Sequence, residues 1–137
     1  MWWRLRFALN VVNLSTPLGL VTAAAGRARL ARGPRGLILA TGYRLGFPHA
    51  SAFTIGNVIL SQHDLPDLIG RADLLRHEER HATQYACCLG VLMLPMYAGA
   101  ALWSYARGGD HATYNVFETR AGLADGGYPL LSRQARS

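Results

Sequence analysis

Two histidines and a glutamate lie close together near the middle of the chain, in the run His77-Glu78-Glu79-Arg80-His81. On a helix, residues four apart share one face with Cβ atoms about 5–6 Å apart, so His77 and His81 can reach one metal ion. Imidazole nitrogens bind such an ion at about 2.0–2.1 Å. The carboxylate of Glu78 lies beside the ion and can accept a proton from metal-bound water. We expect Glu79 and Arg80 to face solvent.

A catalytic metal site of this kind needs a third protein ligand and one open coordination position. Among the acidic and histidine residues downstream, Glu118 lies in a segment with amphipathic helical spacing, and packing could hold its carboxylate toward the first helix. We therefore rank Glu118 first as the third ligand, His111 second and Asp125 third. The alternative for Glu118 is a helix cap or an ion pair with Arg120 or Arg107.

The spacing of apolar residues predicts the elements that hold these side chains. A helix is predicted from Leu68 or Asp73 onward, and a further helix is predicted over residues 114–123. Two short apolar runs, 37–39 and 52–60, precede them. The second run is rich in β-branched and aromatic residues, which predicts a strand, and the two runs could pair as antiparallel neighbours.

Two uncharged stretches have compositions that would also suit a membrane. Residues 7–26 follow a basic, aromatic start, but polar residues interrupt them. We expect a retained helix and then a turn at residues 17–19, with the helix on the body of the protein or on a membrane surface. Residues 82–106 are long enough to span a bilayer, but Pro95 lies in their middle, which favours two packed helices meeting near that proline.

Composition and charge limit the class of protein. The chain has 137 residues, of which 50% are hydrophobic and 16% are charged, which favours one folded domain over a disordered tail or a coiled coil. All 14 basic residues are arginines against 8 acidic ones, so lysine chemistry such as a Schiff base is excluded. The first acidic residue is Asp64. The arginine-rich start suits an anionic membrane surface or a solvated basic face, and nucleic acid is the less favoured partner.

The chain divides into three predicted segments. Residues 1–36 form a basic and apolar helical segment with a connector at residues 26–36, residues 37–128 form an α+β domain, and residues 129–137 form a basic tail. The adjacent cysteines, at positions 87 and 88, predict neither a disulfide framework nor a cysteine zinc site. We therefore expect a cytoplasmic protein, with membrane association as an open alternative.

The motifs resemble those of a known enzyme family. Residues 74–84 (Leu-Leu-Arg-His-Glu-Glu-Arg-His-Ala-Thr-Gln) resemble the active-site helix of zincin metallopeptidases, in the H-E-x-x-H-x-x-Q form of small bacterial members. Residues 115–121 (Asn-x-Phe-Glu-x-x-Ala) resemble the glutamate helix of the gluzincin branch, and residues 54–59 resemble the strand before the active-site helix. The resemblance covers roughly residues 50 to 128 and none of the N-terminal third.

The resemblance implies a small zincin-like α+β domain with short antiparallel strands, an active-site helix and a glutamate-bearing helix. It implies Zn²⁺ bound by His77, His81 and Glu118, with Glu78 as general base in the hydrolysis of a peptide or protein substrate. One position departs from the family pattern. Many gluzincins place a second acid three or four residues after the glutamate ligand, whereas Gly122 stands here, so no carboxylate is expected to orient the first histidine.

Several points stay open on the sequence. Arg107, Tyr114 and Tyr128 are candidate donors to an oxyanion, and Gln84 could tie down a neighbouring loop beside the metal. Two other classes of function compete with a hydrolase. The chain could be a catalytically inactive zincin-like binding module, since a chain of this size offers little room for a deep cleft, or a basic membrane- or nucleic-acid-associated protein with a coincidental motif.

Overall fold

A computed structural model of the chain describes residues 2–45, 52–123 and 125–126. The fold is α+β. In chain order the described elements are α1 (Trp2–Val12), α2 (Ser15–Ala25), β1 (Arg29–Arg32), β2 (Ile38–Thr41), β3 (Ala52–Ile55), β4 (Val58–Ser61), α3 (Leu65–Ile69), α4 (Ala72–Cys87), α5 (Met93–Gly108) and α6 (Val116–Ala121), with short 3-10 turns at Pro34–Gly36 and Gly90–Leu92. The predicted basic tail, residues 129–137, lies outside the described residues.

The four described strands form one mixed sheet in the order β1-β2-β4-β3. The predicted single strand over residues 52–60 is wrong, because this run folds into the antiparallel hairpin of β3 and β4. Gly56 lies at its turn with a φ of +64°, a conformation that residues with a side chain rarely adopt. The predicted antiparallel pairing with the preceding run is also wrong: the returning strand β4 pairs with β2 in parallel.

A strand also lies within the predicted connector at residues 26–36. β1 pairs antiparallel with β2, with Arg29 opposite Thr41 and Arg32 opposite Ile38. The first predicted segment therefore contributes a strand to the sheet of the second. The turn predicted at the end of the connector is present at Pro34–Gly36.

Helices cover both faces of the sheet. Successive side chains of β4 point to opposite faces, so its neighbouring residues pack against different helices. Val58 belongs to a buried cluster with Ala23 of α2. Ile59 belongs to a second cluster with Leu68 of α3 and Leu74 of α4. The site-bearing helix α4 places Leu74 on the face opposite α2, where it also contacts β3, while Tyr85 near its C-terminal end joins the first cluster.

Both uncharged stretches contain a pair of helices, but each break falls earlier than predicted. α1 gives way to α2 at residues 13–14 rather than 17–19, and α4 gives way to α5 at residues 88–92 rather than near Pro95. Pro17 and Pro95 lie in the first turns of α2 and α5. The backbone nitrogens of a first turn have no partner within the helix, so proline is tolerated there.

The other predicted helices are present with adjusted bounds. α4 begins at Ala72, so the later of the two predicted starts is close and the earlier one, at Leu68, is wrong. The helix predicted over residues 114–123 is present as the shorter α6. The side chain of Asn115 caps α6 by accepting a hydrogen bond of 3.0 Å from the backbone N–H of Phe117.

Within the described residues, each helix taken singly is too short or too polar to cross a membrane. Two bent pairs reach the needed length and composition only when their members are combined: α1 with α2, bent by 73°, and α4 with residues 90–108, bent by 112°. α1 lies on the body of the protein, where it contacts α4 and α2.

Candidate metal centre

The buried face of α4 carries the polar residues of the motif. His77, Glu78 and His81 are all buried, together with Leu74, Ala82 and Tyr85. Glu118 is buried on α6, which packs against α4. The predicted helix face and the predicted glutamate helix therefore meet in the interior.

Three ligand atoms converge between α4 and α6. The Nε2 atom of His77 lies 3.1 Å from Nε2 of His81 and 2.9 Å from Oε2 of Glu118, and Nε2 of His81 lies 3.2 Å from the same oxygen. A tetrahedral ion with ligands at about 2.0–2.1 Å separates them by about 3.3–3.4 Å, slightly more than these distances. The buried group His77, His81 and Glu118 could therefore hold a metal ion after a small outward shift.

Groups behind the two imidazoles fix their tautomers. The Nδ1 atom of His77 lies 2.8 Å from the carbonyl oxygen of Gly122, which can only accept, so Nδ1 donates. The Nδ1 atom of His81 lies 2.8 Å from Oε1 of Gln84, whose amide nitrogen donates to the Phe117 carbonyl at 2.9 Å. In each neutral ring Nε2 then carries a lone pair, and both lone pairs and the carboxylate face one point. Three acceptors so placed favour a positive charge between them, either a proton on one imidazole or a metal ion.

The ionisation of these groups agrees with a site that attracts positive charge. Burial alone would raise the pKa of Glu118, but hydrogen bonds from His77 and His81 outweigh it and hold this pKa well below its usual range. Burial alone would lower the pKa of His81, but the hydrogen bond to Glu118 and the nearby charge of Glu78 raise it above its usual value. Protons and a metal ion therefore compete for the same position.

The carbonyl of Gly122 lies behind His77, the histidine for which the sequence predicted no orienting carboxylate. Gly122 adopts a φ of +96°. A Cβ there would lie 2.6 Å from Nη1 of Arg80, which itself donates to the carbonyl of Ala121 at 2.6 Å. Glycine thus lets the chain after α6 turn its carbonyl onto His77, and a backbone group orients this imidazole.

Glu78 lies beside the three converging groups on the same helix. Its Oε2 atom accepts a hydrogen bond of 2.6 Å from the hydroxyl of Thr54 on β3. Burial raises the pKa of Glu78 above its usual value, although the charges of His81 and His77 and the hydrogen bond from Thr54 oppose the shift. A carboxylate held in one orientation with a raised pKa is suited to accept a proton near neutral pH.

A cavity of about 670 Å³ opens onto these residues. Its volume is within the range of small-molecule and peptide-side-chain pockets, so the expectation of little room for a cleft is wrong. The cavity is lined by residues of α2, the β3 strand, α4, α5 and α6, among them Thr22, Phe53, Thr54, Ile55, Glu78, His81, Met93, Leu94, Tyr97, Tyr105, His111 and Glu118.

The lower-ranked third ligands lie elsewhere. Asp125 forms an ion pair with Arg80 at 3.0 Å. His111 lines the cavity and contacts the ring of Tyr105, but it is not part of the group that could hold a metal ion. Of the three candidates, Glu118 is the one that the fold brings to both imidazoles.

Glu79 was expected to face solvent, but its side chain is largely covered. Its carboxylate forms ion pairs with Arg6 of α1, at 2.8 Å, and with Arg35. Hydrogen bonds from these arginines lower the pKa of Glu79, with a larger effect from Arg35 than from Arg6, although partial burial opposes the shift. Arg80 is exposed, as predicted. The N-terminal helix is thereby tied to the helix that carries the site.

Two residues of the site were missed in the sequence. The hydroxyl of Tyr97, on α5, donates to Oε1 of Glu118, and Thr54 orients Glu78. Thr54 is the single hydroxyl of an otherwise apolar strand, which is a signal that could have found it, whereas Tyr97 shares its helix with Ser104 and Tyr105 and carries no such signal. Of the candidate oxyanion donors, Arg107 lies over the rings of Trp103 and Tyr114, and Tyr128 lies outside the described residues.

Removal of the amide behind His81 tests how these ligands are positioned. Gln84→Ala is expected to weaken metal affinity about 10–100-fold, because His81 loses the acceptor that fixes its tautomer and orientation. Competition with a chromophoric chelator measures the affinity. Thr83→Ala is the matched control, since within the described residues the Thr83 hydroxyl bonds only to the Glu79 carbonyl, at 3.3 Å, and its loss should leave affinity unchanged. Equal affinities of the two variants would contradict the positioning role.

No protein-family model, curated protein or solved structure matches this chain. Its functional assignment therefore depends on the chemistry of the side chains described above.

Proposed function

We propose that this protein is a zinc-dependent hydrolase of the metallopeptidase type, with a zincin-like arrangement of its active-site helix. The single observation that carries the proposal is the convergence of two oriented imidazoles and one carboxylate, all buried, beside a further buried glutamate. His77, His81 and Glu118 would hold the metal, and Glu78 would act as general base.

The donor set supports zinc. Two imidazoles and one carboxylate from the protein, with a coordination position left for water, form a ligand set of catalytic zinc sites. The same donors can also hold iron, which uses two histidines and one carboxylate in oxygenases. The neighbouring Glu78 favours the hydrolytic metal, because hydrolysis needs a base at that place and oxygen chemistry does not.

The chemistry divides between the metal and the chain. When bound, zinc polarises a carbonyl and lowers the pKa of water to about 7. Glu78 accepts the proton of the attacking water and passes it to the leaving amine. The Thr54 hydroxyl holds the carboxylate of Glu78 in place during both transfers. Tyr97 and Gln84 keep Glu118 and His81 fixed while charge changes around them.

The sheet supports an extended polypeptide as the substrate. β3 is the last strand in the described sheet, so one of its edges has no strand partner there. An extended peptide can add to such an edge through main-chain hydrogen bonds. Thr54 on this strand contacts Glu78, and its neighbours Phe53 and Ile55 line the cavity. A peptide along β3 would thus pass beside the proposed general base.

Metal analysis and a hydrolysis assay test the proposal together. The purified full chain is expected to contain one zinc ion per molecule by elemental analysis and to cleave members of a fluorogenic peptide library. A chelator such as 1,10-phenanthroline should abolish cleavage, and added zinc should restore it. Protein that folds but takes up no zinc, or that binds iron in preference to zinc, would overturn the proposal.

A further inference from the structure

Helix α1 is inverted with respect to an ordinary surface helix. Its buried residues are the polar Arg6 and Asn10, which bond to Glu79 and to the carbonyl of Ala82 on α4. Its exposed residues include most of its large apolar side chains, namely Trp2, Leu5, Phe7, Leu9, Val11 and Val12. Surface helices normally bury their apolar face and expose their polar one. The apolar side of α1 therefore lacks the partner that its composition requires.

Helix α5 is apolar and exposed on nearly all sides. Only Met93 and Ser104 are buried along its 16 residues. Large apolar side chains face outward along its whole length, namely Leu94, Met96, Leu102, Trp103 and Tyr105. A helix that is apolar all round is normally covered by protein or by lipid. Within the described part of the chain nothing covers α5 in this way.

The two helices meet at their bends, and the bends are apolar. A Cβ at Gly90 would lie 2.3 Å from the Asn13 side chain, so the turn before α5 rests on the turn after α1. Leu14 and Leu89, the neighbours of these two residues, both take left-handed backbone conformations, with φ of 70° and 58°. They are nevertheless 62% and 70% exposed, and Val12 beside them is 80% exposed. Strained conformations thus hold aliphatic side chains outward at the junction.

The far ends of the same helices carry aromatic and arginine side chains. α1 begins with Trp2, Trp3 and Arg4, and α5 ends near Trp103 and Arg107; each arginine lies over a tryptophan ring at 5.3 Å. Neither helix contains an acidic residue. Tryptophan and arginine prefer the boundary between hydrocarbon and headgroups, whereas aliphatic side chains prefer the hydrocarbon.

We propose that α1, the paired bends at residues 12–14 and 89–92, and α5 form a docking surface for a lipid bilayer that contains anionic lipids. The aliphatic bends would enter the hydrocarbon, and the aromatic and arginine ends would lie among the headgroups. A second copy of the chain fits less well, because it would bring the same arginines against this surface. Anionic headgroups neutralise them instead.

The docking surface adjoins the candidate metal centre. Thr22 of α2 and Met93, Leu94 and Tyr105 of α5 line the cavity that contains Glu78 and His81. If the proposed hydrolase function holds, its substrate would reach the site beside the bilayer. Docking itself uses none of the metal ligands, so zinc binding and vesicle binding can each fail without the other.

Vesicle sedimentation tests the docking surface. The full chain is expected to sediment with vesicles of phosphatidylcholine containing about 30 mol% phosphatidylglycerol, less with phosphatidylcholine alone, and less as salt rises. Val12→Glu and Leu89→Glu should each reduce binding by about tenfold or more, because each places a charge in hydrocarbon. Ile69→Glu is the matched control: Ile69 is 56% exposed, but it lies on α3, outside the proposed docking surface.

Tryptophan fluorescence of the wild-type chain gives a second test, which does not depend on whether the variants fold. The three tryptophans of the chain, Trp2, Trp3 and Trp103, all lie on the proposed surface, so the wild-type emission should shift to shorter wavelength on anionic vesicles. An unshifted spectrum, or sedimentation unaffected by both glutamate variants, would overturn the proposal. So would a lipid-free dimer that these variants convert to monomers while the wild type ignores vesicles, since a second copy would then cover the surface.

Discussion

Replacement of Glu78 by glutamine is expected to leave zinc content at one ion per chain and to reduce peptide hydrolysis by about 10²–10⁴-fold. The amide has almost the same shape as the carboxylate and can still accept the 2.6 Å hydrogen bond from Thr54, so the site should keep its geometry. It cannot accept a proton from water. The loss should therefore appear in kcat, with the thermal stability of the zinc-loaded chain nearly unchanged.

The neighbouring acid supplies a control for this experiment. Glu79→Gln makes the same chemical change one residue further along α4, where the side chain bonds to Arg6 and Arg35 rather than lining the cavity. It should lower stability by weakening these ion pairs and leave hydrolysis per zinc-loaded molecule within a few-fold of the wild type. If Glu78→Gln hydrolyses peptides as well as Glu79→Gln does, Glu78 has no part in proton transfer.

The parts of the site that follow from local periodicity could be predicted from the sequence. The four-residue spacing of His77 and His81 needs only a helix to align the side chains, and the run 115–121 carries its own capping asparagine and apolar face. The meeting of these two helices was inferred from the need for a third ligand. It was not visible in either segment alone, and the geometry now brings Glu118 to both imidazoles.

The parts that depend on distant contacts could not be predicted. Parallel pairing of β2 with β4 is set by the hairpin turn and by helices on both faces of the sheet, and no local pattern records it. β1 was missed because its arginines and exposed edge resemble a connector. The carbonyl of Gly122 reaches His77 only through the fold, so a search for a second acid could not find what replaces it.

In α1 polar residues are buried and most large apolar residues are exposed, which is the opposite of what the sequence pattern predicts for a surface helix. Asn10 interrupts an apolar run in the sequence, yet it is fully buried and donates to the Ala82 carbonyl and to the Asn57 side chain. Arg6 is buried as well, against Glu79. The polar residues therefore attach this helix to the protein, and its exposed apolar residues are available to contact the lipid bilayer proposed above.

Removal of Glu118, the proposed third ligand, should have the largest effect on metal binding. Glu118→Ala is expected to weaken zinc affinity by more than about 100-fold, beyond the effect of losing a group behind a ligand, because it deletes the one anionic donor of the three. His111→Ala should leave affinity nearly unchanged, since His111 lies outside the converging group. A greater loss in His111→Ala would transfer the ligand role to that histidine.

Thermal unfolding with and without zinc measures this loss as stability. Zinc at 1,000 times its Kd stabilises a protein that binds it only when folded by about 4.1 kcal/mol, which for a chain of this length raises Tm on the order of 10 °C. Glu118→Ala should abolish most of this rise. Should the alanine variant fold poorly because Tyr97 loses its partner, Glu118→Gln keeps an acceptor for that hydroxyl and still removes the negative charge. A full zinc-dependent rise in Tm for Glu118→Gln would show that the negative charge of Glu118 is not needed to hold the ion, which would contradict its role as the anionic ligand.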